Sequence, residues 1–455
     1  MKDIVEAKSL LLDGVTMAGA RSGKNGDLNK LSEEDQPAHR WYRFVLSYPP
    51  HLVRHYLKDF GLRGSHRVLD PFCGTGTTVV ESKKLGIPSE GIEANPMAFF
   101  ATSVKVDWDV DPQGLLEHAE KIAALTQAQL ESEGLSDDDS FFLTPDRDHG
   151  PELRTLPEAA DDLLLTDSLS PLPMHKTLTL LDILHQNQDG RFLSHERLAL
   201  AKALVFSISN LHFGPEVGIG PKKEDAAVVG PWLSGVREMV NDLKKLRRHP
   251  AASVQLHLAD ARELPKVIKP NSIDAVITSP PYPNEKDYTR TTRLESVMLG
   301  FLSDRSDVRA LKRRLVRSNT RSVYKGDDDD HGVRDHPEIQ RIATAIEARR
   351  IELGKTSGFE RMYARVTRLY FGGMLRHLAD LRKVLRPGAR LAYVVGDQAS
   401  YLRVMIRTGE ILADLAKSLG YEVIRIDLFR TRLSTATKEQ LREEVVVLRW
   451  PGKLK

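Results

Sequence analysis

The stretch Thr278-Ser279-Pro280-Pro281-Tyr282 places a hydroxyl, two prolines and an aromatic ring directly after the apolar run 273–277. An apolar run that ends in a polar residue and two prolines predicts a buried parallel strand stopping at the carboxyl edge of a sheet. Open α/β sheets bind ligands at that edge. Oxygen acceptors beside an aromatic face suit a planar group with an exocyclic amine, such as an extruded nucleobase. An ordinary strand-ending turn is the alternative for this stretch alone.

A second motif, Asp70-Pro71-Phe72-Cys73-Gly74-Thr75-Gly76-Thr77, follows a short apolar strand far upstream. Glycines between a strand and a helix let the backbone approach a ligand closely. The spacing is not GxGxxG and no Walker lysine follows, which argues against a phosphate-binding loop. Glu93 ends the next predicted strand, where a carboxylate can accept both hydroxyls of a ribose. Together these features favour a nucleoside cofactor beside a base pocket.

On these two motifs the chain resembles the S-adenosylmethionine-dependent DNA amino-methyltransferases, which modify cytosine N4 or adenine N6. The resemblance covers residues 41–95 and 254–450. It implies that Asp70 to Thr77 binds the methionine part of S-adenosylmethionine and that Ser279 to Tyr282 holds the target base. The serine version is more similar to the cytosine-N4 group. The fold it implies is an α/β, Rossmann-like class I methyltransferase sheet, mostly parallel with an antiparallel last strand and helical insertions.

The resemblance and the motifs together assign the candidate site residues. In the family an acid at the position of Asp260 meets the adenine amino group of the cofactor, with Glu263 as the less favoured choice. Ser47 and Tyr48 either help to close the cofactor pocket or belong to a helix that caps the sheet. The expected cofactor-binding residues are Asp70, Pro71, Phe72, Cys73, Gly74, Thr75, Gly76, Thr77, Glu93, Ala94, Asn95, Asp260, Ala261, Ser47 and Tyr48. The expected catalytic residues are Ser279, Pro280, Pro281 and Tyr282.

Basic residues after the base motif are candidates for DNA contacts. The run 310–321 carries no acidic residue, so its arginines and lysine could pair with several phosphates. A solvated helix face is the alternative. The Gly- and Pro-rich stretch 209–223 predicts either a loop that approaches a ligand backbone or a plain connection between helices. The candidates are Arg290, Arg293, Arg309, Lys312, Arg313, Arg314, Arg317, Arg321, Lys222 and Lys223.

Composition narrows the class of protein. A net charge of +3 over 455 residues is too small to indicate nucleic-acid binding, so a basic surface must come from local clustering. The single cysteine, Cys73, excludes disulfide frameworks and Cys-rich zinc sites and fits a reducing cytosol. No metal site is expected, because the acidic run Asp327 to Asp330 lacks EF-hand spacing. No apolar run reaches membrane-spanning length and no signal-peptide pattern opens the chain, which predicts a cytoplasmic protein without a membrane partner.

The predicted organisation is a methyltransferase core interrupted by two insertions. Residues 1–40 form a loosely ordered lead-in, 41–110, 251–302 and 358–455 form the core, 111–250 a helical insertion and 303–357 a basic and acidic insertion suited to target recognition. Double-stranded DNA is the expected partner, and a restriction or defence-system partner is compatible with this class. The oligomeric state is not specified by the sequence. Adenine-N6 methylation of DNA, guanine-N2 methylation of RNA and a non-catalytic DNA-binding subunit are the alternative functions.

Overall fold

The computed structural model describes residues 31–43, 47–137, 152–213, 216–284, 286–433 and 440–452. Most of the predicted lead-in, residues 1–30, therefore lies outside the described residues. Its last part is packed against the core: a 3-10 turn Glu33–Asp35 and a short helical turn Gln36–His39 precede Trp41. His39 contacts the buried Glu81 through Nε2 at 2.7 Å. The packed structure thus begins before the predicted boundary at residue 41.

The central sheet has seven strands. They are β1 Val68–Asp70, β2 Ser89–Glu93, β5 Val254–Leu258, β6 Ile273–Thr278, β7 Leu385–Gly396, β8 Glu422–Leu433 and β9 Gln440–Arg449. Their order in the sheet is β5-β2-β1-β6-β7-β9-β8. The first four pairings are parallel, while β9 runs antiparallel to both β7 and β8. This is the predicted Rossmann-like class I methyltransferase sheet with an antiparallel last strand.

Helices cover both faces of the sheet and build the insertions. The longer ones are α1 Pro50–Asp59, α2 Thr77–Lys84, α3 Pro96–Lys105, α4 Pro112–Ser132, α5 Pro171–Gln186, α6 Leu193–Ala203, α7 Val229–Leu246, α8 Arg305–Arg314, α9 Pro337–Glu352, α10 Tyr363–Leu381 and α11 Thr408–Ser418. The helical insertion shares one apolar core with α2 and α3, and α10 and α11 pack with the sheet in a second core. Within the described ranges no helix combines the length and apolar content needed to cross a lipid bilayer.

Short helical segments connect these elements. They are Glu158–Asp161, Tyr288–Thr291 and Arg293–Met298, the π-helical turn Leu204–Ile208, and the 3-10 turns Leu264–Lys266, Thr320–Ser322, Asp329–Val333 and Glu360–Met362. Helix α10 begins at Tyr363, directly after the last of these turns.

The Gly- and Pro-rich stretch 209–223 differs from its prediction as a loop. It contains two short strands, β3 Leu211–Phe213 and β4 Val217–Ile219, which pair antiparallel. The backbone oxygen of Asn210 accepts a hydrogen bond from the Gly220 amide at 2.6 Å, which holds the ends of the two strands together. Glycine and proline content predicted a loop, whereas the structure pairs Leu211, His212 and Phe213 with Ile219, Gly218 and Val217.

Gly76 begins α2 in a backbone conformation that few other residues adopt. Its φ is +85°, and an added Cβ would lie 2.7 Å from Thr102 Cγ2. We expect Gly76→Ala to lower the free energy of unfolding by about 1–3 kcal/mol, because it combines backbone strain with overpacking. Urea denaturation measures the change. Gly230→Ala is the matched control: its added Cβ would meet nothing within 4 Å, so a change within about 0.5 kcal/mol is expected. Equal stabilities of Gly76→Ala and the parent protein would contradict this account.

Candidate active site

Both sequence motifs line one cavity. Its volume is about 840 Å³, and its wall includes residues 71–75 and Thr77 of the glycine turn, residues 93–95, and residues 279–282. The glycine turn follows β1, residues 93–95 end and follow β2, and residues 279–282 follow β6. Because the carboxyl ends of parallel strands meet at the same sheet edge, two motifs distant in sequence become the walls of one space.

Asp70 and Gly76, both predicted to bind cofactor, do not appear in the cavity wall. Asp70 is fully buried behind it. Its carboxylate accepts hydrogen bonds from Thr278 Oγ1 at 2.6 Å, Tyr48 Oη at 2.9 Å and the Phe72 amide at 3.2 Å. Burial raises the pKa of Asp70 to about 6, against the effect of these donors. The structure therefore places Asp70 where it positions β6 and the cavity wall.

Glu93 lines the cavity, and backbone groups orient its carboxylate. Oε2 accepts from the Gly74 amide and Oε1 from the Asn95 amide, each at 2.7 Å. Burial raises the pKa of Glu93 to about 7. A carboxylate oxygen has more than one acceptor site, so both oxygens can still accept hydrogen bonds from hydroxyl groups. This geometry fits the ribose contact predicted from the position of Glu93 at the strand end.

A buried lysine supports the glycine turn. Lys105 Nζ donates to the Thr75 carbonyl at 2.5 Å and to the Tyr42 carbonyl at 3.2 Å. Burial lowers the pKa of Lys105 to about 7. Sequence reasoning missed this residue, because a lysine near the end of a helix is more often exposed. Burial also raises the pKa of the Cys73 thiol well above its usual range, which favours the protonated thiol over the reactive thiolate.

Ala261 and Asp260, both predicted to bind the cofactor, differ in position: Ala261 lines the cavity, and Asp260 is held in an ion pair. Ala261 lines the cavity together with Ala259. The carboxylate of Asp260 is absent from the wall and binds the Arg262 guanidinium, with contacts of 2.6 Å and 3.0 Å. Arg262 also contacts Asp329 at 2.6 Å. The adenine contact of Asp260 stays a prediction, and this ion pair competes for its carboxylate.

His377 holds the apolar part of this wall in place. Its ring packs edge-on against Phe72, with centroids 4.9 Å apart. Nδ1 lies 2.7 Å from the Ala261 carbonyl, and Nε2 lies 2.7 Å from Tyr393 Oη. Burial lowers the pKa of His377 to about 4, so the ring is neutral. Since a carbonyl only accepts, Nδ1 carries the proton and Nε2 accepts from the tyrosine hydroxyl.

The Ser-Pro-Pro-Tyr residues form the opposite wall. Ser279 Oγ donates to the Val394 carbonyl at 3.2 Å. A serine hydroxyl has one proton, so toward any further group this oxygen can only accept. The Tyr282 ring lies against Gly396, where an added Cβ would come within 3.0 Å of Cε2. Burial raises the pKa of the Tyr282 phenol, so it is neutral at physiological pH.

The antiparallel strand pair contributes five wall residues that were not predicted. They are Phe429, Arg430 and Leu433 on β8, and Leu441 and Glu443 on β9. Arg430 and Glu443 form a two-point ion pair, with contacts of 2.6 Å and 3.0 Å. The available sequence signal for Phe429 was its aromatic side chain within the predicted core segment 358–455.

Ser47 and Tyr48 both line the cavity, as the pocket-closing interpretation expects. Ser47 Oγ lies 3.5 Å from Thr75 Oγ1. Tyr48 Oη contacts the carboxylate of Asp70 and the hydroxyl of Thr78. The segment before the glycine turn is therefore part of the cavity wall, while α1 begins after it at Pro50.

The predicted DNA-contacting arginines separate into exposed and buried groups. Arg309, Arg313 and Arg314 on α8, together with Arg321, are exposed. Arg317 is 3% exposed and pairs with Asp327 at 2.8 Å, so the prediction that it contacts phosphate is wrong in this structure. Lys312 Nζ is held by Asp287 at 2.8 Å. Both acids lie outside the run 310–321, which is why the run itself showed no counter-charge.

Three of the four remaining basic candidates contact neighbouring backbone or an acid. The half-buried Arg293 donates to the Thr289 carbonyl at 3.1 Å, and Arg290 is also half-buried. Lys223 Nζ donates to the Ser207 carbonyl at 2.6 Å. Lys222 is exposed and lies 3.7 Å from Glu224. Of these four, Lys222 has the most accessible charge.

The sheet order, with the glycine turn and the Ser-Pro-Pro-Tyr wall at one sheet edge, is that of the Rossmann-like class I methyltransferase fold. The chain is similar over nearly its whole length to proteins named as Type II methyltransferases. It is 25% identical over 452 residues to Type II methyltransferase M.BsoBI of Geobacillus stearothermophilus, covering 92% of this chain and 85% of the relative. It is 22% identical over 461 residues to Type II methyltransferase M.AvaI of Nostoc sp. and of Anabaena variabilis, covering 92% of this chain and 88% of each relative.

These relatives confirm the resemblance inferred from the motifs. No protein-family model matches the chain. Among solved structures, TrmN from Thermus thermophilus aligns with 88% of this chain and 48% of its own, at 12% identity and a TM-score of 0.26. That superposition is too weak to support a comparison of the two sites.

Proposed function

We propose that this protein is a DNA methyltransferase that transfers a methyl group from S-adenosylmethionine to the exocyclic amine of an extruded base, with cytosine N4 as the favoured target. The observation that carries the proposal is the single cavity shared by the glycine turn, Glu93 and the Ser-Pro-Pro-Tyr wall. A cofactor held on one side of this space and a base held on the other would bring the two reacting groups together.

The residues of the cofactor side fit S-adenosylmethionine. Glu93 presents a carboxylate with free acceptor sites for the ribose hydroxyls. Phe72, Ile92, Ala259 and Val316 supply apolar surface for a purine ring. When bound, the cofactor supplies an activated methyl group on a sulfonium. The chain therefore needs only to orient the cofactor and the acceptor amine.

The base side supplies what an aromatic amine needs in order to react. The lone pair of such an amine is delocalised into its ring. Acceptors at Ser279 Oγ and the Pro280 carbonyl would bind the amino hydrogens and draw the nitrogen toward tetrahedral geometry. Ser279 is suited to this role because its own proton is engaged by Val394. The Tyr282 ring would stack on the base, which is worth about 1–3 kcal/mol.

Three observations support DNA and an amine as the target. The relatives are named as Type II methyltransferases over 92% of the chain. Exposed arginines on α8 lie beside the cavity, since Arg314 belongs to its wall. The single cysteine, Cys73, lies in the glycine turn and not after the proline pair, which argues against the thiol-dependent methylation of cytosine C5. The serine of the base motif favours cytosine over adenine.

Mass spectrometry of nucleosides from DNA incubated with the purified protein and S-adenosylmethionine tests the proposal. We expect N4-methylcytosine to appear, and to form roughly 10- to 100-fold more slowly when Tyr282→Ala replaces the parent protein at the same concentration. N6-methyladenine would retain the chemistry but contradict the choice of base. DNA without any methylated amine, from a protein that binds S-adenosylmethionine, would refute DNA as the substrate.

A further inference from the structure

The two-stranded unit formed by β3 and β4, called here the 211–219 hairpin, stands apart from the central sheet. Its register pairs Leu211 with Ile219, His212 with Gly218 and Phe213 with Val217. It belongs to the helical insertion, and the class I methyltransferase sheet does not need it. Because this ribbon is not part of the central sheet, it is a candidate for a separate function.

The hairpin is rigidly mounted through Asn210, which is 2% exposed. The Asn210 side chain donates to the Asp167 carbonyl at 2.9 Å and to Ser170 Oγ at 3.1 Å, and accepts from the Lys223 amide at 2.8 Å. Its backbone oxygen accepts from Gly220. One buried amide thus fastens both ends of the hairpin to the body of the insertion. Because these contacts fix the orientation of the hairpin, its surface is suited to binding a partner without changing shape.

The mounting places the hairpin at the mouth of the cavity. The residues of the cavity wall are buried or half-buried except for Glu216, Arg314, Ser400 and Leu433, which are exposed and mark the mouth. Glu216 precedes β4, and Arg314 ends α8. Arg321 spans the two sides, with Nη1 3.9 Å from Glu216 Oε2. The hairpin and the basic end of α8 therefore both contribute residues to this mouth.

The outer side of the hairpin offers polar groups to a partner. His212 is exposed and lies opposite Gly218, so no cross-strand side chain covers it. Across the described part of the chain the His212 ring has no hydrogen bond or ion pair, and Glu216 has only the long contact with Arg321. The major groove of B-DNA, about 12 Å wide, admits a two-stranded ribbon, and its base edges carry donors and acceptors. Carboxylates accept from the amino group of cytosine there.

We propose that the 211–219 hairpin reads base edges in the major groove beside the extruded base, through His212 and Glu216, while the exposed Arg309 and Arg313 of α8 bind flanking phosphates. The inference rests on the proposed function. It assigns recognition of the DNA target sequence to the helical insertion, residues 111–250, and not to the insertion 303–357. Phosphate contacts position a protein on DNA without carrying sequence information, so α8 would supply affinity and the hairpin would supply specificity.

The test is methylation of a duplex library in which the bases flanking one target base are randomised, followed by sequencing that detects the modified base. The parent protein, His212→Ala, Glu216→Ala and the control Arg309→Ala/Arg313→Ala are compared. For each hairpin variant we expect discrimination at one or two flanking positions to fall by roughly tenfold. Affinity for S-adenosylmethionine should stay within about twofold. All these side chains are exposed, so the variants should fold.

The control should behave differently. Arg309→Ala/Arg313→Ala should slow methylation of every sequence alike and reduce the slope of log affinity against log salt by about one for each phosphate that is no longer bound. Hairpin variants that methylate the same sequences with undiminished discrimination would overturn the role of the hairpin and leave the proposed function intact. A parent protein that methylates no member of the library would refute the proposed function, and the hairpin inference would fail with it.

Discussion

Glu93→Gln should weaken S-adenosylmethionine binding by about 10- to 100-fold. A hydrogen bond to a charged group is worth about 1.5–3 kcal/mol, and each 1.4 kcal/mol is a factor of ten in affinity. Glutamine keeps the shape of the side chain but replaces one acceptor oxygen with an NH₂ group. This donor would face another donor, namely the Gly74 amide, the Asn95 amide or a ribose hydroxyl, and one hydrogen bond would be lost. Titration calorimetry with the purified protein measures the change.

Glu263→Gln is the matched control for this substitution. Glu263 is an acid near the same sheet edge and is absent from the cavity wall, and its Oε2 contacts Lys266 at 2.7 Å. We expect its affinity for S-adenosylmethionine to equal that of the parent protein. An unchanged affinity in Glu93→Gln, with the protein folded, would remove Glu93 from the cofactor site.

The pKa of Glu93 also predicts how the affinity for S-adenosylmethionine depends on pH. The pKa of Glu93 in the unliganded protein is raised to about 7 by burial, so the carboxyl is largely protonated below that pH. Ribose hydroxyls donate more strongly to the ionised carboxylate, so affinity should increase as pH rises through 7 and then level off. Glu93→Gln should lose this step. If Glu93→Gln still shows an increase in affinity near pH 6, that increase would reflect ionisation of Asp70, whose pKa is about 6.

Tyr282→Ala should lower kcat/KM for DNA by roughly 10- to 100-fold, because stacking of a base on an aromatic ring is worth about 1–3 kcal/mol. The ring lies in the wall formed by the Ser-Pro-Pro-Tyr residues and packs on Gly396. Removing it would leave the extruded base without a platform, while Glu93 and the glycine turn stay in place. Affinity for S-adenosylmethionine should therefore be unchanged. Transfer of a radiolabelled methyl group to duplex DNA measures the rate.

Tyr282→Phe is the control that isolates the ring from the hydroxyl. It preserves the stacking surface and should keep most of the activity of the parent protein. If Tyr282→Phe were as slow as Tyr282→Ala, the phenol and not the ring would carry the effect. Full activity in Tyr282→Ala would contradict the assignment of this wall to the target base.

Local sequence was sufficient for the elements on which the site is built. The glycine turn and the proline pair each end a strand for reasons contained within a few residues: glycine permits φ values that other residues avoid, and proline removes the donor that would extend the ladder. Successive strand–helix units then lead to a parallel sheet whose carboxyl ends share one edge. The cavity wall formed by residues 71–75, Glu93 and residues 279–282 follows from these rules.

Tertiary structure decided which charged residues are accessible and what each carboxylate does. In sequence, Arg317 and Lys312 look like the other basic residues of the run 310–321. In the folded chain Asp327 pairs with Arg317, which is buried, and Asp287 pairs with Lys312. Asp260 is held by Arg262, and Asp70 positions the wall from behind. The pKa of a carboxylate and the partners of a guanidinium depend on groups that distant parts of the chain bring near. The pairing of β3 with β4 beside the cavity mouth is likewise a feature of the tertiary structure.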